Sequence, residues 1–170
     1  MISREIPTDI LKYELRNLQL KVSEESRSSY LTFVKKVWPD FVGGYHHKIY
    51  AQKLEDVANG KIIINMPPRH TKSEFASNLF PAWMMGRNPK LKIIQTTHTA
   101  ELSYNFGRKV RNLFDQQEFK DVFPSVSLSQ DSKAAGRFTT NKGGEYFAAG
   151  VGGAITGRGA DLLIIDDPHS

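Results

Sequence analysis

The apolar positions of the chain change period several times, and each change marks an expected element. Behind Thr8, a residue able to cap, Ile10, Leu11, Tyr13, Leu15, Leu18 and Leu20 predict an amphipathic helix over residues 8–20. Tyr30, Leu31, Phe33, Val34, Val37 and Trp38 predict a second over residues 24–38, ended by Pro39. After a turn at Gly43-Gly44, a third helix is expected from His46 to about Gly60. Lys61 to Asn65 then reads as a buried strand, because Ile62, Ile63 and Ile64 are contiguous. From Lys72, the positions Phe75, Leu79, Trp83 and Met84 return to helical spacing, with Pro81 expected to kink or end that helix.

Further along, Leu91 to Thr97 predicts a strand and His98 to about Phe114 a helix with a basic stretch at Arg108, Lys109 and Arg111. That stretch reads first as a solvated charged face and second as a contact for nucleic-acid phosphates. A short helix is expected over residues 117–123, before Pro124. Residues 125–137 are polar and aperiodic and read as a loop. Phe138 to Thr140 and Glu145 to Ala149, joined by Asn141-Lys142-Gly143-Gly144, predict a hairpin. Leu162 to Ile165 is a continuous apolar run, as in a strand buried on both faces of a parallel sheet.

Two of these junctions carry chemistry. The first is Pro67-Pro68-Arg69-His70-Thr71-Lys72-Ser73, between an expected strand and an expected helix. A helix N-terminus presents unpaired N–H groups and partial positive charge, so this order suits a phosphate chain. Lys72 would add a point charge at the β/γ-phosphates, and the Ser73 hydroxyl would ligate Mg2+. In the usual G-x-x-x-x-G-K-[ST] pattern the two glycines fall at Met66 and Thr71. Glycine is favoured there for close approach and positive φ, and Pro67-Pro68 offers stiffness in its place. The second junction is Asp166-Asp167, at the C-terminal end of the last apolar run. Ligands of open α/β sheets bind at that edge. Asp166 suits Mg2+, and Asp167 suits orienting or deprotonating an attacking water. The glycine-rich run from Gly150 to Gly159 has the spacing of a dinucleotide loop, but it precedes a strand and opens no helix, so that reading fails.

Composition narrows the class. The 170 residues suffice for one α/β domain with a real core. The net charge of +5 is compatible with a polyanionic partner without requiring one. The absence of cysteine excludes disulfides and thiolate zinc sites. No apolar run approaches the ~20 residues needed to span a bilayer, and Met1-Ile2-Ser3-Arg4-Glu5 lacks an apolar signal region. A soluble, intracellular protein without a membrane partner is expected.

From His46 to Asp167, about 120 of 170 residues, the chain resembles the N-terminal ATPase domain of the large terminase subunit of tailed bacteriophages. The resemblance rests on His46-His47, Ile63 to His70, Lys72-Ser73-Glu74, Phe80-Pro81-Ala82-Trp83, Gly107 to Arg111, Gly157 to Asp161 and the Asp166-Asp167 strand. Thr71 stands where that family usually has glycine. The resemblance implies a P-loop NTPase-type, mostly parallel sheet with helices on both faces, a three-layer α/β sandwich. Residues 1–42 would be an N-terminal helical flank and residues 43–170 a partial ATPase core. It implies hydrolysis of ATP with Mg2+ to drive double-stranded DNA into a procapsid, in the cytoplasm of a bacterial host. Expected partners are the portal and procapsid, a small terminase subunit and further copies in a ring. Pro68, Arg69, His70, Thr71, Lys72 and Ser73 would hold the nucleotide's phosphates, Ser73 and Asp166 the metal, and Asp167 the attacking water. His47 or Gln52 would meet the adenine. Arg158, at the rim of the site, would act on a neighbour's ATP, with Arg69 the competing arginine in cis. The chain stops three residues after Asp167. The fold is therefore expected to be incomplete there, without the nuclease domain of that family and with a complementing chain as a possible partner. Thr97-His98 supports a helicase-like ATPase as one alternative. A nucleotide- or DNA-binding module without turnover is another.

Overall fold

In the computed structural model, residues 7–153 and 155–169 are described. Met1 to Glu5, and Ala154 within the glycine-rich run, lie outside them. Helices α1 (Thr8–Ser28), α2 (Tyr30–Val37) and α3 (Tyr45–Glu55) come first, and α3 ends in a 3-10 turn over Asp56–Asn59. A helix then opens at Lys72, passes through a π-helical segment, Glu74–Leu79, and continues as α4 (Phe80–Arg87). The remainder is β1 (Lys92–Thr97), α5 (Ala100–Leu113), α6 (Gln117–Val122), β2 (Leu128–Ala134), β3 (Arg137–Thr140), β4 (Glu145–Gly150) and β5 (Leu162–Asp166).

The strands form one sheet in the order β2-β3-β4-β1-β5. β1 lies between β4 and β5 and is parallel to both, while β2-β3-β4 is an antiparallel meander. The sheet is therefore mixed, not mostly parallel. The difference traces to residues 125–137, expected as a loop. Their segment Leu128–Ala134 is polar, yet it pairs antiparallel with β3, with a register irregularity between Leu128 and Lys133. An outer strand has little apolar surface to bury, so hydrophobic alternation does not announce it.

The core also departs from the expected sandwich. Helices α2 to α6 all feed one cluster, which takes Ile93 from β1 and Tyr146 and Ala148 from β4. Its centre is aromatic: Tyr30, Phe33, Phe75, Phe80 and Trp83 are fully or almost fully enclosed. In parallel register, Ile93 pairs with Tyr146 on one side and Leu162 on the other, so these side chains share a face. On the reverse face, Leu163 and Ile165 are 56% and 57% exposed. Helices on both faces are thus not what the described residues form.

Three local expectations change. The apolar positions of the first helix are all substantially exposed, and the only buried residues of α1 are Ser23 and Ser26. Periodicity identifies an amphipathic helix but not what covers it. Pro81 does not end its helix, which runs on to Arg87; the segment just before the proline, Glu74–Leu79, is π-helical. The largest change concerns residues 61–67, which form no ladder. They run extended, with Ile64 and Met66 packed against the core and Ile63 89% exposed. A contiguous apolar run predicts burial, but a strand also needs a neighbour, and no described strand pairs with this segment.

Candidate functional site

Parallel pairing of β1 with β5 sets Thr97 opposite Asp166, so Asp166 and the following Asp167 reach the C-terminal edge of the sheet. The helix that opens at Lys72 points its first turn at the same place. Lys72 Nζ donates to Asp167 Oδ1 at 2.7 Å and lies 3.8 Å from Asp166 Oδ1. Two junctions 95 residues apart are thereby joined through one ammonium group. Asp166 is buried, and its second oxygen, Oδ2, accepts from the buried Ser77 hydroxyl at 2.8 Å. Ser77 was missed in the sequence. It lies one turn beyond Ser73, and only that four-residue spacing hinted that both could face the same edge.

Backbone strain gathers at the same point. Three described non-glycine residues have positive φ, and all belong to this site: Arg69 at 63°, Thr71 at 61° and Asp167 at 43°. For a β-branched residue such as Thr71 this conformation is a genuine outlier. Each such residue costs on the order of 1–3 kcal/mol and persists only where its surroundings over-determine it. Thr71 thus adopts the backbone that glycine would take without strain. Pro68 and Arg69 form the turn itself, and His70 Nδ1 donates to the Pro68 carbonyl at 2.9 Å. Ser73 follows, half-buried, in the first helical turn.

Neighbouring helices hold the loop from behind. Tyr50 of α3 donates its hydroxyl to the Lys72 carbonyl at 2.9 Å, and Tyr30 of α2 donates to the Phe75 carbonyl at 2.6 Å. Both phenols are kept protonated mainly by burial; the charge of Asp166 adds to the effect on Tyr50. His47 of α3 bonds to Thr71: the His47 Nε2 to Thr71 Oγ1 distance is 2.8 Å, while His47 Nδ1 accepts from the Gly44 N–H at 2.8 Å. Both ring nitrogens are therefore engaged within the protein, leaving none for the adenine edge expected of it. Gln52, the alternative, is exposed.

Lys72 is the cation of the site and faces two carboxylates. The hydrogen bond to Asp167 raises the Lys72 pKa; nearby carboxylate charge adds to this, and burial opposes it. Lys72 stays cationic at neutral pH. The Lys72–Asp167 pair is worth at most about 1 kcal/mol, since the Asp167 side chain is two-thirds exposed. An incoming phosphate can therefore displace Asp167 from the ammonium at small cost.

A Mg2+ ion bound with a substrate's phosphates needs few donors from the protein. Such a metal takes one or two carboxylates and keeps the rest of its sphere for phosphate and water. Asp166, with one oxygen fixed by Ser77 and the other facing the loop, is a carboxylate of that kind. Among the described residues, no group of three or more His, Asp or Glu side chains is arranged to hold a metal alone.

The arginines separate. Arg69 is exposed within the loop. Arg158 is not at its rim. Its guanidinium bonds Glu145 Oε1 at 2.9 Å and lies 4.0 Å above the Phe147 ring. Glu145 begins β4 opposite Lys92, at the N-terminal edge, roughly 16 Å from the other edge at about 3.3 Å per residue. The cause is topological. The connector leaves β4 at the C-terminal edge and must start β5, parallel to β1, at the other. Of the basic stretch on α5, Lys109 pairs with Glu74 at 3.2 Å, while Arg108 is exposed.

Compared with protein-family models, with curated proteins and with solved structures, the chain matches none.

Proposed function

We propose that the chain binds Mg-ATP between the Pro67–Ser73 loop and the Asp166-Asp167 edge and hydrolyses it, as the motor part of a viral DNA-packaging terminase. One observation carries the reading: Lys72, at a helix N-terminus, meets both carboxylates that end a parallel strand. The gathering of all three strained residues in the same place supports it. The resemblance in sequence supplies the packaging role.

In this reading Lys72 leaves Asp167 for the β/γ-phosphates, and the helix N-terminus adds its dipole. Ser73 and Asp166 would hold Mg2+, which would supply neutralisation of phosphate charge. Asp167, released and exposed, orients the water that attacks in line. Ser77 keeps Asp166 turned toward the loop. Arg69 is the arginine of the loop itself, and Arg158 can serve only a neighbouring subunit's site. Double-stranded DNA, a portal, a small subunit and a ring of copies belong to the same reading.

Steady-state phosphate release tests it. Wild type should turn over Mg-ATP, faster with double-stranded DNA, and Asp167→Asn should lose at least ~100-fold in rate while still binding. Binding without turnover in wild type would favour the nucleotide-binding module. Asp167 bonded to Lys72, and so not free to position water, is what favours that second reading.

A further inference from the structure

We infer that His47 is the positioning residue that holds Thr71 in its left-handed conformation and so shapes the phosphate loop. The inference rests on the nucleotide-binding reading only for its consequence, not for its geometry. The direction of the hydrogen bonds is forced. The Gly44 N–H can only donate, so His47 Nδ1 carries the lone pair. The proton of the neutral ring is then on Nε2, which donates to Thr71 Oγ1. That hydroxyl, having accepted, donates onward to the His70 carbonyl at 2.6 Å. The chain Gly44 N–H, His47, Thr71, His70 C=O therefore runs in one direction without a conflict, from the start of α3 into the loop.

The surroundings fix the ring as well as its bonds. His47 is 5% exposed and packs against Phe41 at 4.8 Å and Phe75 at 5.2 Å. It is the third residue of α3, so reaching back to Gly44 is the ordinary geometry of a helix start. A ring fixed at both nitrogens and packed against aromatic rings can dictate the position of the hydroxyl it meets. Glycine reaches positive φ without help, whereas threonine there needs an external hold. His47 is that hold, and His47 and Thr71 together do what one glycine does elsewhere.

The account makes the two positions depend on each other. Mg-ATP affinity by calorimetry and the carbon chemical shifts of residue 71 by NMR are measured for wild type, His47→Ala, His47→Gln, Thr71→Gly and the double variant His47→Ala/Thr71→Gly. His47→Ala should weaken ATP roughly tenfold and move the Thr71 shifts away from left-handed values. His47→Gln, which can accept from Gly44 and donate to Thr71, should recover most of both. Thr71→Gly should bind as wild type or tighter, and adding His47→Ala to it should change affinity less than threefold. Equal losses from His47→Ala in both backgrounds would overturn the inference and make His47 a direct ligand. Unchanged Thr71 shifts in both His47 variants would also overturn it. Failure of the nucleotide reading is distinguishable: no variant, wild type included, would bind ATP, and the shifts alone would then decide the role of His47.

Discussion

Residues 61–66 and 162–166 are both apolar runs that lead into the site, and they meet different fates. The second is a strand, paired with β1 along its length. The first packs Ile64 and Met66 inward in the same alternating manner but pairs with no described strand, and leaves Ile63 almost wholly in solvent. The difference teaches that an apolar run specifies a face to bury, while the ladder is specified by the neighbour. β1 supplies that neighbour to β5. The site is accordingly built from one side on a paired strand and one side on an unpaired segment. The carboxylates stand on a paired strand, whereas the loop is held by side chains from α2 and α3.

Proline breaks this comparison most directly. The pairing of β5 with β1 begins with Asp161 N–H donating to the Lys92 carbonyl, and the period of two makes Leu163 the next donor. Leu163 and Ile63 are both outward-facing, so proline at either removes little packing. Leu163→Pro is expected to cost about 3 kcal/mol or more, because a ladder bond is lost. Ile63→Pro should cost under about 1 kcal/mol. Denaturant unfolding measures both, and equal costs would mean that residues 61–67 are paired in solution.

Ser77→Ala sharpens the strand side. The hydroxyl bonds a buried carboxylate, so its loss should cost about 1.5–3 kcal/mol in unfolding free energy. An effect within about 0.5 kcal/mol would show that Asp166 does not depend on it. The smallest expected effect concerns the loop side. Burial first, then the charges of His46 and His70, lower the His47 pKa below the ordinary imidazole value. Unfolded His47 takes up its proton near pH ~6.5. Folded His47 does so only at lower pH, so stability is full above about 6.5 and declines as pH falls below it. Thermal unfolding between about pH 5 and 8 should show this decline in wild type and less of it in His47→Gln. Parallel pH profiles would contradict the assignment.

Much of this arrangement was legible in the sequence. Lys72-Ser73 and Asp166-Asp167 were readable because helix starts and the ends of parallel strands have fixed chemical properties. The hairpin was readable from Asn141 to Gly144, whose turn includes Gly143 at a φ of 91°. β2 was not, since a polar outer strand carries no alternation. The exposure of α1 was not, because period says nothing about cover. The place of Arg158 could have been read: a residue just before a parallel strand sits at the edge opposite that strand's end. The roles of Ser77 and His47 needed the fold, since each acts through a partner distant in sequence.

The central claim is that the loop and the β5 edge form one Mg-ATP site with Lys72 between them. Isothermal titration of Mg-ATP into wild type and Lys72→Ala tests it most directly. Loss of a charge-assisted contact worth ~1.5–3 kcal/mol predicts roughly tenfold to hundredfold weaker binding in Lys72→Ala. Equal affinity in the two proteins would contradict it.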